Sequence, residues 1–437
     1  MKHLYMDNFR GFSDTIIPIR QVTFLVGENS TGKTSLLGLL ELLSNPRFWF
    51  TQDFNSQTYE FGGFSDIVSA TTTDKREFRI GTCEDGVGKN PKVKPFCYLM
   101  HFRERDGIPI ISRFAQATED WVGTIVVDKG LFYNIEKLQN ICSKTDDPYC
   151  LLRAVQTHTQ QLTSGLSKVP KSFKFHEQEM MAYPYLLKIL SKSELTKNGM
   201  RLSRRGIHFE FELPLILDLA VLAPIRTKPR RTYDAYAKPF SPDGEHTPYL
   251  LRKQLASKMR AKAFTSVLEK FGIESGLFKK VGIKEFGKEP SAPFEVTVTL
   301  EEQPLTVNTV GYGVSQALPV VVELISRSRG TSFSIQQPEV HLHPKAQAAL
   351  GDLLFELASQ ENKNLFIETH SDYLVDRYRL NYRQQKGPDS QVLFFERTEG
   401  RNKVHILPIA QNGEYPEIQP SSFRTFFLSE QRRILGI

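Results

Sequence analysis

A short segment near the amino terminus combines residue types whose spacing suits the binding of phosphate groups. It reads GENSTGKT, from Gly27 to Thr34, and fits the pattern G-x-x-x-x-G-K-[ST]. In this pattern two glycines let the backbone turn closely, so that successive N–H groups point at phosphate oxygens, and the lysine contacts the β- and γ-phosphates. The threonine is a Mg²⁺ ligand. The residues expected to bind a nucleotide are Gly27, Glu28, Asn29, Ser30, Thr31, Gly32, Lys33, Thr34 and Ser35.

A second glycine-rich segment precedes a helical pattern far along the chain. GYGVSQALPVVVEL places Gly311, Gly313, Ser315 and Gln316 at the start of a helix. The free N–H groups and the hydroxyl there can bind an anion. Two such segments are what a composite site between two copies of the chain would need. An ordinary capped helix, with Ser315 or Asn308 as the cap, explains the same residues.

Two further segments end buried-strand patterns in polar residues. FSIQQPEVHLHP carries Gln336, Gln337 and Glu339, and LFIETHSDYL carries His370. Because the carboxyl ends of strands in an open α/β sheet face the ligand crevice, we expect these side chains near the reacting phosphate. His370 could contact a γ-phosphate or an attacking water. The two glutamines stand out, since a neutral amide cannot act as a general base and binds Mg²⁺ poorly compared with a carboxylate.

The histidines of these segments allow another interpretation. His341, His343, Glu339 and His370 could form a metal site, because alternate residues of a strand share one face. Pro344 follows His343 directly, however, and suits a turn. We therefore favour the phosphate site over a metal centre.

The elements that must position these residues follow from the hydrophobic pattern. Residues 1–26 alternate apolar and polar, turn at Arg10-Gly11 and continue into QVTFLV, which predicts a hairpin followed by a buried strand. The glycine-rich segment follows, and then the helical pattern TSLLGLLELLS. Later, TSFSI and NLFIET predict strands separated by a helix that begins after Pro344, and QVLFFERTEGRNKVHILPI predicts a hairpin that turns at Glu399-Gly400.

The middle of the chain has a different character. Short apolar runs are interleaved with basic clusters and prolines, and the stretches EKLQNICSK and TPYLLRKQLASKMRAKAFTSVLEKFG are helical in pattern. We expect a largely helical insertion here. The predicted division of the chain is 1–95 for the first half of a nucleotide-binding head, 96–285 for the insertion, 286–385 for the second half of the head, and 386–437 for a hairpin and tail.

The insertion is rich in basic residues with tyrosines among them. These residues are Arg226, Lys228, Arg230, Arg231, Lys238, Arg252, Lys253, Lys258, Arg260 and Lys262, with Tyr233, Tyr236 and Tyr249. Basic and aromatic residues together are typical of a surface that binds nucleic acid. A solvated helix face that makes protein contacts explains the set at least as well.

Composition limits the class of protein. The chain has 437 residues, 40% of them apolar, and a net charge of +7, which allows two or three compact units and weakly indicates polyanionic partners. The cysteines, at positions 83, 97, 142 and 150, form no C-x-x-C pair, so we expect buried free thiols and neither a zinc site nor a disulfide framework. No segment resembles a signal peptide or a membrane span, so we expect a cytoplasmic protein with no membrane partner.

Five motifs taken together resemble a known family. In chain order, NFRGF, VGENSTGKTSLL, GYGVSQALP, QPEVHLHPKAQ and IETHSDYL resemble the ABC-type ATPases of the AAA-15/AAA-21 group, which are relatives of the SMC, RecF and OLD-nuclease heads. Within this group the chain resembles the ATPase subunits of bacterial anti-phage systems of the Septu or PARIS type. The resemblance implies an α/β fold, an ABC-type P-loop head with a mixed sheet, to which the insertion is added.

The resemblance implies roles for the two glycine-rich segments. Gly27–Thr34 corresponds to the Walker A motif, which binds ATP, with Thr34 as a ligand of the accompanying Mg²⁺. Ser315 and its neighbours correspond to the signature motif, which contacts the γ-phosphate bound to a second copy of the chain. The group also has a Q-loop glutamine, for which Gln52 and Gln57 both remain candidates.

The resemblance also implies roles for the strand ends. Gln336 and Gln337 correspond to the Walker B pair, with the Mg²⁺ position at Gln336, while His341–Pro344 corresponds to the D-loop region and His370 to the switch histidine. In the relatives the Walker B positions usually carry acids. Two explanations of the amides stay open: Gln336 is an engineered replacement of a glutamate, or the chain is a natural switch ATPase in which Glu339 partly substitutes. We favour the first, because the group tolerates a glutamine at the second position alone.

The expected consequence is that ATP binding survives better than turnover, since losing a catalytic base costs ~10²–10⁴ in rate. Our predicted function is an ATPase subunit that dimerises head-to-tail around ATP, singly or in multiples of dimers, and controls a separate effector in anti-phage defence. We expect that effector to be a nuclease on another chain, since fewer than about 70 residues follow His370. The alternatives are a RecF- or SMC-like ATPase of DNA repair or chromosome maintenance that clamps DNA directly, and a scaffold with a structural nucleotide.

Overall fold

The structure is a computed structural model, in which the following residues are described: 2–72, 75–84, 95–138, 149–162, 165–170, 183–184, 186–187, 189, 219–234, 237–257, 259–289 and 291–423. The strands are β1 (Lys2–Asp7), β2 (Thr15–Ile19), β3 (Val22–Gly27), β4 (Glu77–Glu84), β5 (Phe96–Arg105), β6 (Ile108–Thr118), β7 (Trp121–Val127), β8 (Leu131–Lys137), β9 (Ser167–Lys168), β10 (Leu219–Leu222), β11 (Lys280–Glu285), β12 (Phe294–Thr299), β13 (Pro304–Thr306), β14 (Ser332–Gln336), β15 (Asn364–Glu368), β16 (Ser390–Thr398) and β17 (Arg401–Ile409). The α-helices are α1 (Lys33–Ser44), α2 (Pro46–Thr51), α3 (Phe64–Ile67), α4 (Cys150–Gln161), α5 (Thr247–Ala256), α6 (Ala261–Ser275), α7 (Tyr312–Ser326), α8 (Pro344–Glu361) and α9 (Asp372–Leu380).

The chain divides into two compact units. The first contains Met1–Ile19, Gly38–Ile216 and Arg397–Lys403, and the second contains Arg20–Leu37, Leu217–Glu396 and Val404–Ile437. Each unit is therefore assembled from three separate segments of the chain.

The first unit is built on an antiparallel sheet of eight strands in the order β2-β1-β4-β5-β6-β7-β8-β9. Helix α4 packs on β5, β6 and β7. Its apolar side chains Leu151, Leu152 and Val155 are buried against residues such as Leu99 and Ala115. The predicted hairpin at the amino terminus is confirmed, since β1 and β2 pair in antiparallel fashion.

The prediction that 96–285 is largely helical is wrong for its first part, because residues 96–137 form the four strands β5 to β8. The turns between these strands include Asp106-Gly107 and Lys129-Gly130, which have positive φ at both positions, as expected of tight hairpin turns. The stretch EKLQNICSK begins inside β8, and most of it lies outside the described residues. The long helical pattern from Thr247 is confirmed as α5 and α6.

The second unit contains a six-stranded sheet in the order β10-β14-β15-β3-β16-β17. Its pairs β10/β14, β14/β15, β15/β3 and β3/β16 are parallel. All residues of β14 and all but the first residue of β15 are buried, because strands of a parallel sheet are covered on both faces. The predicted hairpin at the end of the sheet is confirmed, with its turn at Glu399-Gly400.

The strand register of this sheet determines which side chains lie together at its carboxyl edge. Gln336 lies opposite Glu368, and Glu368 lies opposite Leu25 on β3. The strand β3 then leads directly into the glycine-rich loop and α1. The ends of β14 and β15 therefore lie beside the start of that loop.

The cysteines differ from expectation. Cys83 and Cys97 form a disulfide, because the pairing of β4 with β5 places them directly opposite each other. Cys150 is also disulfide-bonded. The expectation of free thiols is therefore wrong. The separation of fourteen residues between Cys83 and Cys97 gives no sign of their pairing in the sequence.

Among the helices that the structure describes, none is long and apolar enough to cross a lipid bilayer.

Candidate functional site

The loop after β3 has a backbone that wraps tightly. Gly27, Ser30 and Gly32 have φ values of 142°, 61° and 98°, a region that favours glycine. The hydroxyl of Thr31 is buried and donates to the carbonyl of Glu28 at 2.7 Å. Residues 28–30 at the tip of the loop are exposed. The predicted strand, glycine loop and helix are thus present in the predicted order.

The side chain of Lys33 lies inside this loop. Its Nζ donates to the carbonyl oxygens of Gly27 at 2.9 Å and Glu28 at 2.5 Å. Burial lowers the pKa of Lys33, and the nearby carboxylates of Glu368 and Glu28 oppose that shift. The ammonium group is therefore held at the position where the motif requires a cation for phosphate oxygens.

Thr34, the first threonine of α1, contacts an acid that the sequence analysis did not select. Its Oγ1 lies 3.2 Å from Oε1 and 3.1 Å from Oε2 of Glu368. Glu368 is only 5% exposed. The sequence signal for Glu368 is its position at the end of a buried strand, two residues before His370.

The predicted Walker B residues lie beside this glutamate. Gln336 is 6% exposed and its Nε2 is 3.4 Å from Oε2 of Glu368. Gln337 has a φ of 43° and its backbone N–H donates to the carbonyl of Glu368 at 2.8 Å. A positive φ is unusual for a residue with a side chain and is often found at functional sites. The two glutamines and Glu368 thus form one edge of the candidate site.

Glu339 and His370 are brought together as predicted. The backbone N–H of His370 donates to Oε1 of Glu339 at 2.7 Å. The other oxygen, Oε2, is buried and has no hydrogen-bond partner among the described residues. Burial raises the pKa of Glu339, although hydrogen bonds from His370 and Thr369 and the charge of Arg226 oppose the shift. Glu339 thus combines burial, a raised pKa and one oxygen without a hydrogen-bond partner among the described residues.

The ring of His370 is exposed. Partial burial and the charge of Lys33 lower its pKa, so the imidazole is neutral at pH 7. A neutral ring can donate one hydrogen bond and accept another.

Arg226 binds the backbone of the same edge of the sheet. It is 4% exposed, and its Nη2 donates to the carbonyl oxygens of Gln336 at 3.1 Å and Gln337 at 3.3 Å. Burial lowers the pKa of Arg226 to about 10, so the guanidinium stays charged at neutral pH. Arg226 was one of the basic residues for which a nucleic-acid surface and a solvated helix face were both considered, and its burial fits neither. It follows the end of β10, a strand of the same sheet, and this explains its position.

The predicted signature segment begins α7. Gly311 and Tyr312 are exposed, whereas Ser315 is buried and its hydroxyl donates to the carbonyl of Tyr312 at 2.8 Å. The Gly311 cap makes no side-chain hydrogen bond. Gln316 is also buried, and its Nε2 has no partner in the described part of the chain. The backbone of the first turn, and not the Ser315 hydroxyl, is what this segment presents to solvent.

Gly313 explains how this segment meets the D-loop region. A Cβ at Gly313 would lie 3.0 Å from the carbonyl oxygen of His341. The ring of His341 packs edge-on against Tyr312, with centroids 4.8 Å apart. His343 caps α8 by accepting from the backbone N–H of Ala346. The two histidines therefore have packing and capping contacts, and the described residues contain no group of three or more potential metal ligands.

The described tyrosines of the basic and aromatic set are buried, and several of its basic side chains are paired with carboxylates. Tyr233 and Tyr249 belong to the hydrophobic core, so their rings cannot stack on bases. Of the basic side chains, Arg230 and Lys238 both pair with Glu245, and Arg252 pairs with Glu285. Tyr236 and Lys258 lie outside the described residues. The two tyrosines therefore provide no stacking surface, whereas basic residues such as Arg231 and Lys253 are exposed.

The two Q-loop candidates now differ. Gln52 is buried, and its Oε1 accepts from the backbone N–H of Ile111 at 2.8 Å. Gln57 is exposed. Gln52 thus has a structural contact within the first unit, and the assignment of the Q-loop stays a prediction.

The residues at the edge of the sheet fit Mg²⁺. Mg²⁺ binds hard oxygen ligands in octahedral geometry and commonly uses a few protein oxygens together with phosphate oxygens and waters. The Thr34 hydroxyl, the carboxylate of Glu368 and the amide oxygen of Gln336 are donors of this kind, and the first two are within 3.2 Å of each other.

A parallel sheet with a Walker A loop, a lysine enclosed by that loop and polar strand ends beside its threonine define an α/β P-loop ATPase head with mixed sheets and helices. The chain belongs to the AAA_15 family, described as an AAA ATPase domain, which matches residues 1–194 and 235–375. It is thus an ATPase of this family.

Solved structures with a similar fold include heads of SMC proteins. The chain is 10% identical to an Smc head bound to the C-winged helix domain of ScpA, with a TM-score of 0.46 over 94% of this chain and 98% of that one. It is 11% identical to an Smc head from Pyrococcus furiosus, with an extended coiled coil and bound to the C-terminal domain of ScpA, with a TM-score of 0.44 over 99% and 100%. It is 11% identical to the SMC head domain from Thermotoga maritima, with a TM-score of 0.36 over 92% and 97%. No curated protein sequence matches the chain.

Proposed function

We propose that the chain is the ATP-dependent switch subunit of an anti-phage defence complex. Two copies associate head-to-tail, so that ATP on the Walker A loop of one copy is covered by the first turn of α7 from the other. The nucleotide state then controls a separate effector protein, a nuclease. The observation that carries the proposal is the enclosed Lys33 beside Thr34 and Glu368, at the carboxyl edge of the sheet.

Each residue of the site has a part in this proposal. Lys33 and the N–H groups of residues 27–35 bind the phosphates, and Mg²⁺ neutralises their charge. Glu339 accepts a proton from the attacking water through Oε2, which has no other partner among the described residues. His370, neutral at pH 7, hydrogen-bonds the γ-phosphate or that water. Arg226 holds the carbonyls of Gln336 and Gln337 and so keeps this edge in place.

The geometry supports one of the two explanations of the glutamines. Glu339 is buried, hydrogen-bonded and free at one oxygen, which is the arrangement expected if it substitutes for a Walker B base. We therefore propose a natural switch ATPase in which Gln336 and Gln337 are the native residues and Glu339 is the base.

The exposed start of α7 supports the head-to-tail association. Gly311 and Tyr312 face solvent, and Tyr312 is 45% exposed, so N–H groups of the first turn are accessible to a second copy. The anti-phage role rests on the resemblance of the motifs. The RecF- or SMC-like alternative needs a DNA surface, and the burial of Tyr233 and Tyr249 counts against the one that the sequence suggested.

ATP with Mg²⁺ is expected to increase the mass of the protein by a factor of two or a multiple of two. The physical reason is that the triphosphate bridges two loops that each present N–H groups. Light scattering coupled to size exclusion, with and without ATP, measures the change. Lys33→Ala should stay at the nucleotide-free mass because the cation for the phosphates is lost.

The matched control is Lys288→Ala, which removes an exposed lysine from the turn between β11 and β12. It should assemble like the unaltered protein. Assembly of Lys33→Ala that still depends on ATP would contradict the placement of the nucleotide at this loop.

A further inference from the structure

Glu368 lies at the carboxyl edge of the parallel sheet, next to the strand that leads into the glycine-rich loop. It lies at the end of β15, between β14 and β3, and is the register partner of Gln336 on one side and Leu25 on the other. Both of its carboxylate oxygens lie within hydrogen-bond distance of the Thr34 hydroxyl. Glu368 is therefore the acid that the structure places beside the Mg²⁺-binding threonine of the loop.

The residues around Glu368 are suited to a single negative charge at this edge of the sheet. Gln336 offers its amide N–H to Oε2 of Glu368 at 3.4 Å, a contact that an acid at position 336 could not make. Two carboxylates this close would repel each other and raise the pKa of one of them. The positive charge of Lys33 lies near enough to interact with Glu368. An amide at position 336 and an acid at position 368 are thus compatible. The negative charge then lies at the end of β15 and not at the end of β14.

We infer that Glu368 supplies the carboxylate for the Mg²⁺ that accompanies ATP, and that Gln336 is a positioning residue which orients it. The inference rests on the proposed binding of ATP at this loop. It explains why the end of β14 can lack an acid: a carboxylate on the neighbouring strand faces the same threonine. Glu339, whose Oε1 is bound to the backbone N–H of His370, remains available for proton transfer.

The test measures the effect of Mg²⁺ on the affinity for a nucleotide that is not hydrolysed. Calorimetric titration with the β,γ-imido analogue of ATP is carried out in excess Mg²⁺ and in EDTA. For each variant we take the ratio of the dissociation constant in EDTA to the dissociation constant in Mg²⁺. Glu368→Gln should lower this ratio by about 10–100-fold, the usual loss when the surroundings of a bound metal are altered, or abolish the Mg²⁺ effect where it is smaller. Its affinity in EDTA should not fall, because the backbone N–H groups and Lys33 are unchanged.

Two further variants separate a metal role from a structural one. The double variant Gln336→Glu/Glu368→Gln returns the acid to β14 at the register partner, and it should recover most of the Mg²⁺ effect. The matched control Glu302→Gln, at an exposed position, should keep the full Mg²⁺ effect. Where Glu368→Gln fails to fold, Glu368→Asp keeps the charge but withdraws it by one methylene, and it should show a reduced ratio.

The outcomes separate this inference from the proposed function. A folded Glu368→Gln with the ratio of the unaltered protein, or an unchanged ratio in Glu368→Asp, overturns the inference while ATP binding stands. A double variant that binds Mg²⁺ no better than Glu368→Gln does so as well. If the unaltered protein does not bind the analogue, or Lys33→Ala binds it equally, the proposed nucleotide site itself is wrong.

Discussion

Glu339→Gln is expected to lower ATP turnover by about 10²–10⁴, the usual loss on removing a general base. Glutamine has nearly the same shape, and it can still accept the hydrogen bond that the backbone of His370 donates to Oε1 of Glu339. The fold and the affinity for ATP should therefore change little. Turnover is measured as phosphate released under saturating ATP, and affinity by calorimetry with the β,γ-imido analogue.

The pH profile distinguishes a base from a merely structural carboxylate. Glu339 must be ionised to accept a proton, so turnover falls as the pH is lowered through its pKa. Because burial raises that pKa, the fall should occur at a higher pH than for an ordinary carboxyl group. Glu339→Gln should lose this limb of the profile, whereas Glu302→Gln, at an exposed site, should keep both the limb and the rate. A rate for Glu339→Gln close to that of the unaltered protein would assign the base to another group.

The local parts of the fold and site could be predicted from the sequence. The loop at Gly27–Thr34, the start of α7, the strand ends at Gln336 and His370 and the helix after Pro344 all appear in the structure. Each depends on neighbours within a few residues, such as a glycine pattern, an apolar run or a capping position. Sequence patterns report such local determinants directly.

The parts that failed depend on distant pairing. Cys83 and Cys97 meet only because β4 and β5 are adjacent, and Arg226, in the loop after β10, contacts Gln336 at a separation of 110 positions. The contact of Thr34 with Glu368 spans 334 positions. No periodicity or motif in a single sequence reports these contacts, although the rule that parallel strands end at one edge places Arg226 and Glu368 there in principle.

That omission changed the expected enzymology. The two amides Gln336 and Gln337, with Glu339 as a partial substitute, predict a slow or trapped ATP-bound state. Glu368 adds a second carboxylate at the same edge, beside Thr34, while Glu339 has a free oxygen. We therefore expect Gln336→Glu alone to produce little gain in turnover, because the new acid would lie next to Glu368 and the two charges would repel.

Gly27→Ala is expected to destabilise the protein by at least about 3 kcal/mol, from overpacking and backbone strain together. Gly27 has a φ of 142°, and a Cβ there would lie 2.1 Å from the carbonyl oxygen of Phe395. That oxygen belongs to the paired strand β16, which cannot move without disturbing the sheet. The same displacement would shift the carbonyl that Lys33 contacts, so the stabilisation by ATP and Mg²⁺ should also be lost.

Gly330→Ala separates the two sources of this effect. Gly330 also has a positive φ, of 79°, but a Cβ there would meet no atom within 4 Å. It should cost only the backbone penalty of a left-handed residue, about 1–2 kcal/mol, and the thermal shift on adding ATP should be retained. Melting temperatures of both variants with and without nucleotide give the comparison. Equal losses of melting temperature in the two variants would mean that β3 and β16 are further apart than the 2.1 Å contact implies. The position of Lys33 would then not depend on this contact.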